Sequence, residues 1–100
     1  MKLFVDDERP APDGWMLAKT SLDAIAWLHL SRARAERLEA LSLDHDLGGD
    51  DTTRPVMLWM CENEYWPQWM KVHSMNPVGC DWLKGMADRY GPGDMVRTWA

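Results

Sequence analysis

The feature that most constrains this chain is a repeated local order: a short, mostly apolar run that ends in acids or other polar groups. Residues 2–6 read Lys-Leu-Phe-Val-Asp, residues 40–44 read Ala-Leu-Ser-Leu-Asp, and residues 70–74 read Met-Lys-Val-His-Ser. Runs this short suit strands buried in a sheet, and the residues that follow them are turn formers. Between the runs the spacing becomes helical. Ala24, Ile25, Leu28, Ala35 and Leu38 recur every few positions, predicting a helix to about residue 38 that opens on Thr20-Ser21-Leu22-Asp23 as a capping box. Thr52-Thr53-Arg54-Pro55 and Asn76-Pro77 each set capping side chains before a first-turn proline. They predict helices over 56–65 and from 76 to about 89, the second stopped by Gly91-Pro92-Gly93. Residues 15–18 and 95–99 are the remaining strand candidates.

Strands alternating with helices indicate an α/β layer fold with a mainly parallel sheet and right-handed crossovers. A chain of 100 residues has material for one core, so a single domain over 1–100 is expected. One connection is irregular: residues 7–14 carry two prolines and a glycine and are too short for a helical crossover. In such folds functional groups gather beyond the carboxyl ends of the strands. Asp6-Asp7-Glu8, Asp44-His45-Asp46 and His73-Ser74-Met75-Asn76 all fall at strand exits and should converge on one edge.

Composition matters at this point. Sixteen acidic residues against eleven basic ones give a net charge of -5, which argues against duplex DNA as a partner. Converging carboxylates repel by about 1 kcal/mol per pair in water and about 4 at an effective dielectric of 20. A divalent cation removes that penalty, and an oxygen-rich ligand set suits Mg²⁺, Mn²⁺ or Ca²⁺, with magnesium first. Asp7 and Asp44 are the leading ligand candidates, with Asp6 and Asp46 as direct or water-mediated ones; the competing use of all four is to cap turns. His45 and His73 are candidates for proton exchange near neutral pH. Ser74 and Asn76 are candidates for hydrogen bonds to phosphate oxygens, aided by the helix amides after Asn76.

Other conspicuous residues receive plainer readings. Trp27, Trp59 and Trp82 fall in helices where they can cover a sheet, and His29 sits mid-helix without a functional assignment. Trp15 is the one tryptophan near the acidic edge and a candidate for stacking on a base. Cys61 and Cys80 lack ligand-like spacing and are expected as buried thiols. No apolar run is long enough to span a bilayer and the charged start lacks a signal core, so a cytoplasmic location and no membrane contact are expected.

The acid pair Asp6 and Asp7 after the first strand, Asp44 after a later one and the Ser74 hydroxyl after the next resemble the receiver domain of bacterial response regulators. That resemblance implies a flavodoxin-like, three-layer α/β domain with a five-stranded sheet in the order 2-1-3-4-5. It also implies Asp6 and Asp7 as the metal pair and Asp44 at the phospho-acceptor position. More specifically, Leu3-Phe4-Val5-Asp6-Asp7-Glu8-Arg9-Pro10-Ala11-Pro12-Asp13-Gly14-Trp15, Leu43-Asp44-His45-Asp46-Leu47-Gly48 and His73-Ser74-Met75-Asn76-Pro77-Val78-Gly79 resemble the cyclic-phosphate-processing receiver domains. There are departures from ordinary receivers. Their first helix is replaced here by the Pro-rich stretch 8–14, and their last helix is missing. Their lysine at the end of the last strand is also missing, which leaves Arg97 as the candidate cation. His45 and His73 are additions that move the site toward acid–base work.

Residues and resemblance together lead to the expectation of Mg²⁺- or Mn²⁺-dependent binding, with hydrolysis or processing, of a cyclic or terminal phosphate on a nucleotide or RNA end. His45, His73 and Asp44 would be catalytic, Ser74, Asn76 and Arg97 would hold phosphate, and Asp6, Asp7, Asp44 and Asp46 would hold the metal. The alternative is a non-catalytic pseudo-receiver that binds a nucleotide or a protein partner at the same edge.

Overall fold

A computed structural model describes residues 1–100. The elements run β1 (Lys2–Val5), β2 (Met16–Ala18), α1 (Ser21–Ala33), β3 (Ala40–Leu43), α2 (Arg54–Asn63), β4 (Trp69–Val72), α3 (Pro77–Tyr90) and β5 (Val96–Arg97). All five strands pair in parallel in the order β2-β1-β3-β4-β5. This is the α/β receiver-like sheet, with three helices.

The direction of the crossovers decides where those helices lie. The steps from β2 to β3, β3 to β4 and β4 to β5 all run the same way across the sheet, so right-handed connections put α1, α2 and α3 on one face. They pack α1 on α2 and α2 on α3. Leu3, Val5, Leu41, Leu43 and Met70 from the strands meet Leu28, Val56, Met57, Met60 and Leu83 from the helices in the core. The step from β1 to β2 runs the opposite way, and its connection contains no helix. The layer that would cover the second face is therefore reduced to a loop.

That face is covered sparingly, by Trp15. Side chains alternate along a strand, so Phe4, Ser42 and Lys71 form one row across the helix-free face and Lys2, Ala40 and Trp69 the next. The Trp15 ring meets Phe4 and Trp69 edge to face, at 6.3 and 6.1 Å between centroids. β1 and β4 are two strand spacings apart, about 9.6 Å, so the indole lies over β3 between them. Ala40 and Ser42 are small enough to admit it and are buried in consequence.

Several boundaries differ from the sequence reading. α1 stops at Ala33 rather than near Leu38 because Ala35 takes φ 56°. Glu36 N–H then donates to Ser31 O and Ala35 N–H to Arg32 O, closing the helix end in a Schellman turn. Leu38 keeps its helical spacing only by coincidence and fills the core from the loop beyond. α2 starts at Arg54 and ends at Asn63, where Glu64 at φ 49° makes the same turn. Its N-cap Thr53 does not cap: the hydroxyl donates to Asp44 O at 2.6 Å instead. β4 begins one residue earlier than expected, at Trp69, and gives way at Val72 to the turn that caps α3, while β5 is confined to two residues. Cys61 and Cys80 are free thiols, half-buried rather than fully buried. No helix is long and apolar enough to cross a membrane.

Candidate active site at the carboxyl edge of the sheet

The exits of β1, β3 and β4 converge as their parallel register requires. Asp44 N–H donates to Val5 O and His73 N–H to Leu43 O, so the ladder carries one residue past each strand. Ligand atoms of Asp6, Asp44 and His73 lie within 4.8 Å of one another. They border a cleft of about 390 Å³ whose walls include Asp6, Asp7, Arg9, Asp44, Asp46, Gly48, Ser74 and Asn76.

Asp6 is 1% exposed and fully engaged. One carboxylate oxygen accepts from the N–H groups of Glu8 and Arg9 at 2.8 and 2.9 Å, and the other accepts from His73 Nε2 at 2.9 Å. Burial pushes its pKa up, but the Arg9 and Glu8 amides and the His73 ring outweigh burial and leave it below the ordinary value. Asp6 therefore takes the turn-capping role that the sequence set against metal binding, with its carboxylate also at the wall of the cleft. For His73, burial lowers the pKa against the opposing pull of Asp6. Its neutral ring donates from Nε2 to Asp6 and accepts at Nδ1 from the Ser42 hydroxyl, 2.7 Å away. The ring also stacks on Phe4 at 4.5 Å.

Asp44 and Asp7 are less committed. One Asp44 oxygen accepts from the N–H of His45 at 2.8 Å, and the carboxylate is otherwise turned to the cleft. Asp7 Oδ2 would lie 2.9 Å from any Cβ placed on Gly48, which has φ +85°. Glycine is needed there on both counts. The donor set is carboxylate-rich: Asp6 and Asp44 bring ligand atoms together with His73, and Asp7 lines the same cleft beside the space that Gly48 keeps open, so its chemistry fits a hard divalent cation held chiefly by Asp6 and Asp44.

The structure does not bring every expected group to the cleft. His45 is 5% exposed and points toward the helices. Its Nε2 accepts from Arg54 Nε at 2.9 Å, its Nδ1–H donates to Asp46 Oδ1 at 3.0 Å, and its ring fills the space beside Gly79. It positions Asp46 rather than facing a ligand. Asp46 also accepts from Asn76 Nδ2 at 3.1 Å, and Asn76 followed by His45 holds the Asp46 pKa down. Arg97, expected as the phosphate-side cation, is elsewhere: its guanidinium donates to the carbonyls of Ala87, Pro92 and Met95 and pairs with Asp88. It pins the end of α3, because its place in β5 opposite Met70 aims it at the helix layer. The amide cradle after Asn76 is also smaller than expected. Pro77 has no N–H, and Gly79 N–H is taken by Asn76 Oδ1 at 3.0 Å, leaving Val78.

Sequence reasoning gave no role to Arg9, Ser42 or Arg54. Arg9 lines the cleft and donates to His73 O at 3.0 Å; its place directly after the acid cluster is the signal that marked it. Ser42 and Arg54 could be found only once their imidazole partners were located. Trp15 is present near the edge, but as the cover of β3. A larger hollow of about 650 Å³ lies at the far end of the sheet, away from the strand exits, where Arg37 and Asp94 are paired with each other.

A family model described as a cyclic-phosphate processing receiver domain matches residues 1–89. No curated protein and no solved structure matches the chain.

Proposed function

The chain belongs to the family of cyclic-phosphate processing receiver domains, and on that premise we propose that its cleft binds a cyclic or terminal phosphate of a nucleotide or RNA end with a divalent cation and hydrolyses it. The observation that carries this reading is the two-sided cleft. Asp6, Asp7 and Asp44 face it from the exits of β1 and β3, while Ser74, Asn76 and Arg9 present hydrogen-bond donors to the same space. Carboxylates alone would repel a phosphate. Asp6, Asp44 and Asp7 would hold Mg²⁺ or Mn²⁺, which would supply the charge that lets the two meet and would polarise a phosphoryl oxygen.

The chain's own residues do the rest. The Ser74 hydroxyl and the second N–H of Asn76 Nδ2 donate to phosphate oxygens, and the free N–H groups of Arg9 add a charged donor. Asp44 takes the proton of a water as that oxygen bonds to phosphorus. The phosphorus–oxygen bond to the sugar breaks, and the leaving oxygen takes a proton from solvent in the open cleft. His73 keeps Asp6 ionised, and Asp46, held by His45 and Asn76, orients the Asn76 amide. A direct attack by Asp44 on phosphorus is the competing route and leaves an acid-labile acyl phosphate.

A second reading, binding without turnover, is favoured by one observation: both ring nitrogens of His45 and of His73 already have partners. One experiment separates the two. The purified chain is incubated with 2′,3′-cyclic nucleotides and Mg²⁺ or Mn²⁺, with binding followed by calorimetry and product by chromatography. A nucleoside monophosphate product lost in Asp44→Asn and retained in Arg97→Ala supports hydrolysis. Binding without product supports the pseudo-receiver, and no binding with either metal overturns both.

A further inference from the structure

We propose that the helix-free face of the sheet receives the nucleoside of the bound phosphate, with its base against the outer faces of Trp69 and Trp15 and its sugar-phosphate beside Lys71. The ligand is then a nucleotide or a single-stranded nucleic-acid end, not a simple sugar phosphate. This inference rests on the phosphate reading of the cleft.

Strand alternation supplies the first step. Asp6, Asp44 and His73 have the same parity as Phe4, Ser42 and Lys71, and the ladder continues through them, so the reactive row tops the helix-free face. The opposite direction is closed. His45 is pressed against Gly79 and bonded to Arg54, whose guanidinium lies 4.6 Å over Trp82, and Asn76 bridges to Asp46. A ligand whose phosphate sits at Asp44 and Ser74 finds its solid surface only on the sheet side.

That surface has the chemistry of a nucleoside. Trp15 and Trp69 are half-buried; Trp15 meets Phe4 and Trp69 edge to face, Trp69 has Trp15 as its one aromatic neighbour, and Val96, opposite Trp69 in the ladder, is 56% exposed beside it. Aromatic planes of this kind stack bases without regard to sequence. Lys71, one alternation below His73, is exposed and makes no ion pair, as is Lys2 in the row below. On a chain of net charge -5, two unpaired lysines on the face that continues from the cleft complement a phosphodiester.

The test uses calorimetry in Mg²⁺ with two probes, inorganic phosphate and 2′,3′-cyclic adenosine monophosphate. The nucleotide should bind more tightly than phosphate. Trp69→Ala should weaken the nucleotide by about tenfold or more and Lys71→Glu by several-fold, both with phosphate affinity unchanged, and Trp69→Phe should restore part of the loss. If Trp69→Ala does not fold, Lys71→Glu, exposed and unpartnered, decides. Unchanged nucleotide affinity in these variants, with binding still abolished by Asp44→Asn, overturns the inference and leaves the phosphate reading standing. The inference also falls if Trp69→Ala merely dissociates a dimer. Failure of both probes to bind overturns the two together.

Discussion

His73 Nε2 and Asp6 Oδ2 stand 2.9 Å apart across 67 residues of chain, tying the exit of β4 to that of β1. The folded state holds His73 below its ordinary 6.5 and Asp6 below its ordinary 3.8. In both cases the unfolded chain binds more protons on the acid side of the ordinary value, so stability falls as pH falls. In the metal-free protein, with chelator present, urea midpoints should be flat above pH 6.5 on account of these two groups. They should decline below it through His73, and decline again below 3.8 through Asp6. His73→Gln should remove the first decline; a wild-type midpoint that rises on acidification would contradict the assignment.

Gly79→Ala should destabilise the protein. Its Cβ would fall well inside contact distance of His45 Cγ, and the ring is held by Arg54 and Asp46 and has no room to retreat. Overpacking of this kind costs about 1–3 kcal/mol. Equilibrium urea unfolding measures it, and the double variant Gly79→Ala with His45→Ala should recover most of the loss.

Metal should stabilise the fold through the carboxylate edge. At a hundredfold excess over its dissociation constant, Mg²⁺ should add about 2.7 kcal/mol. Asp44→Asn removes one like-charge neighbour, so its metal-free stability should equal or exceed that of the parent by up to about 1 kcal/mol. Its response to Mg²⁺ should vanish. Thermal melts with and without metal provide the comparison.

Tyr65→Phe should cost about 1–3 kcal/mol, because it strands the buried N–H of Leu38 that donates to the Tyr65 hydroxyl at 3.1 Å. The same hydroxyl ties Ser31 and Glu36 at the end of α1. Hydrogen exchange at the Leu38 amide should rise more than exchange in β1, and a uniform rise across the sheet would point to a different cause.

The order of elements was legible because each strand is a short apolar run with a polar exit, and because Thr20 and Asn76 cap their helices through Asp23 and Gly79 N–H. The ends of α1 and α2 were not. Ala35 and Glu64 adopt left-handed backbone without being glycine, and nothing in their side chains announces it; burial of Leu38 and Trp66 shortly after the two turns compels them.

For the site, sequence alone determined which residues stand at the strand exits, since covalent order and a period of two leave little choice. Tertiary packing decided which way they look. Asp44 and His45 are neighbours in the chain, yet one faces the cleft and the other the helices, and only the close approach of α3 at Gly79 and of Arg54 on α2 fixes the imidazole there. Arg97 was drawn to the carbonyls of Ala87, Pro92 and Met95 and to Asp88 for a like reason: its place opposite Met70 in the ladder turns it to the end of α3, and which acceptors lie there is a property of the assembled fold.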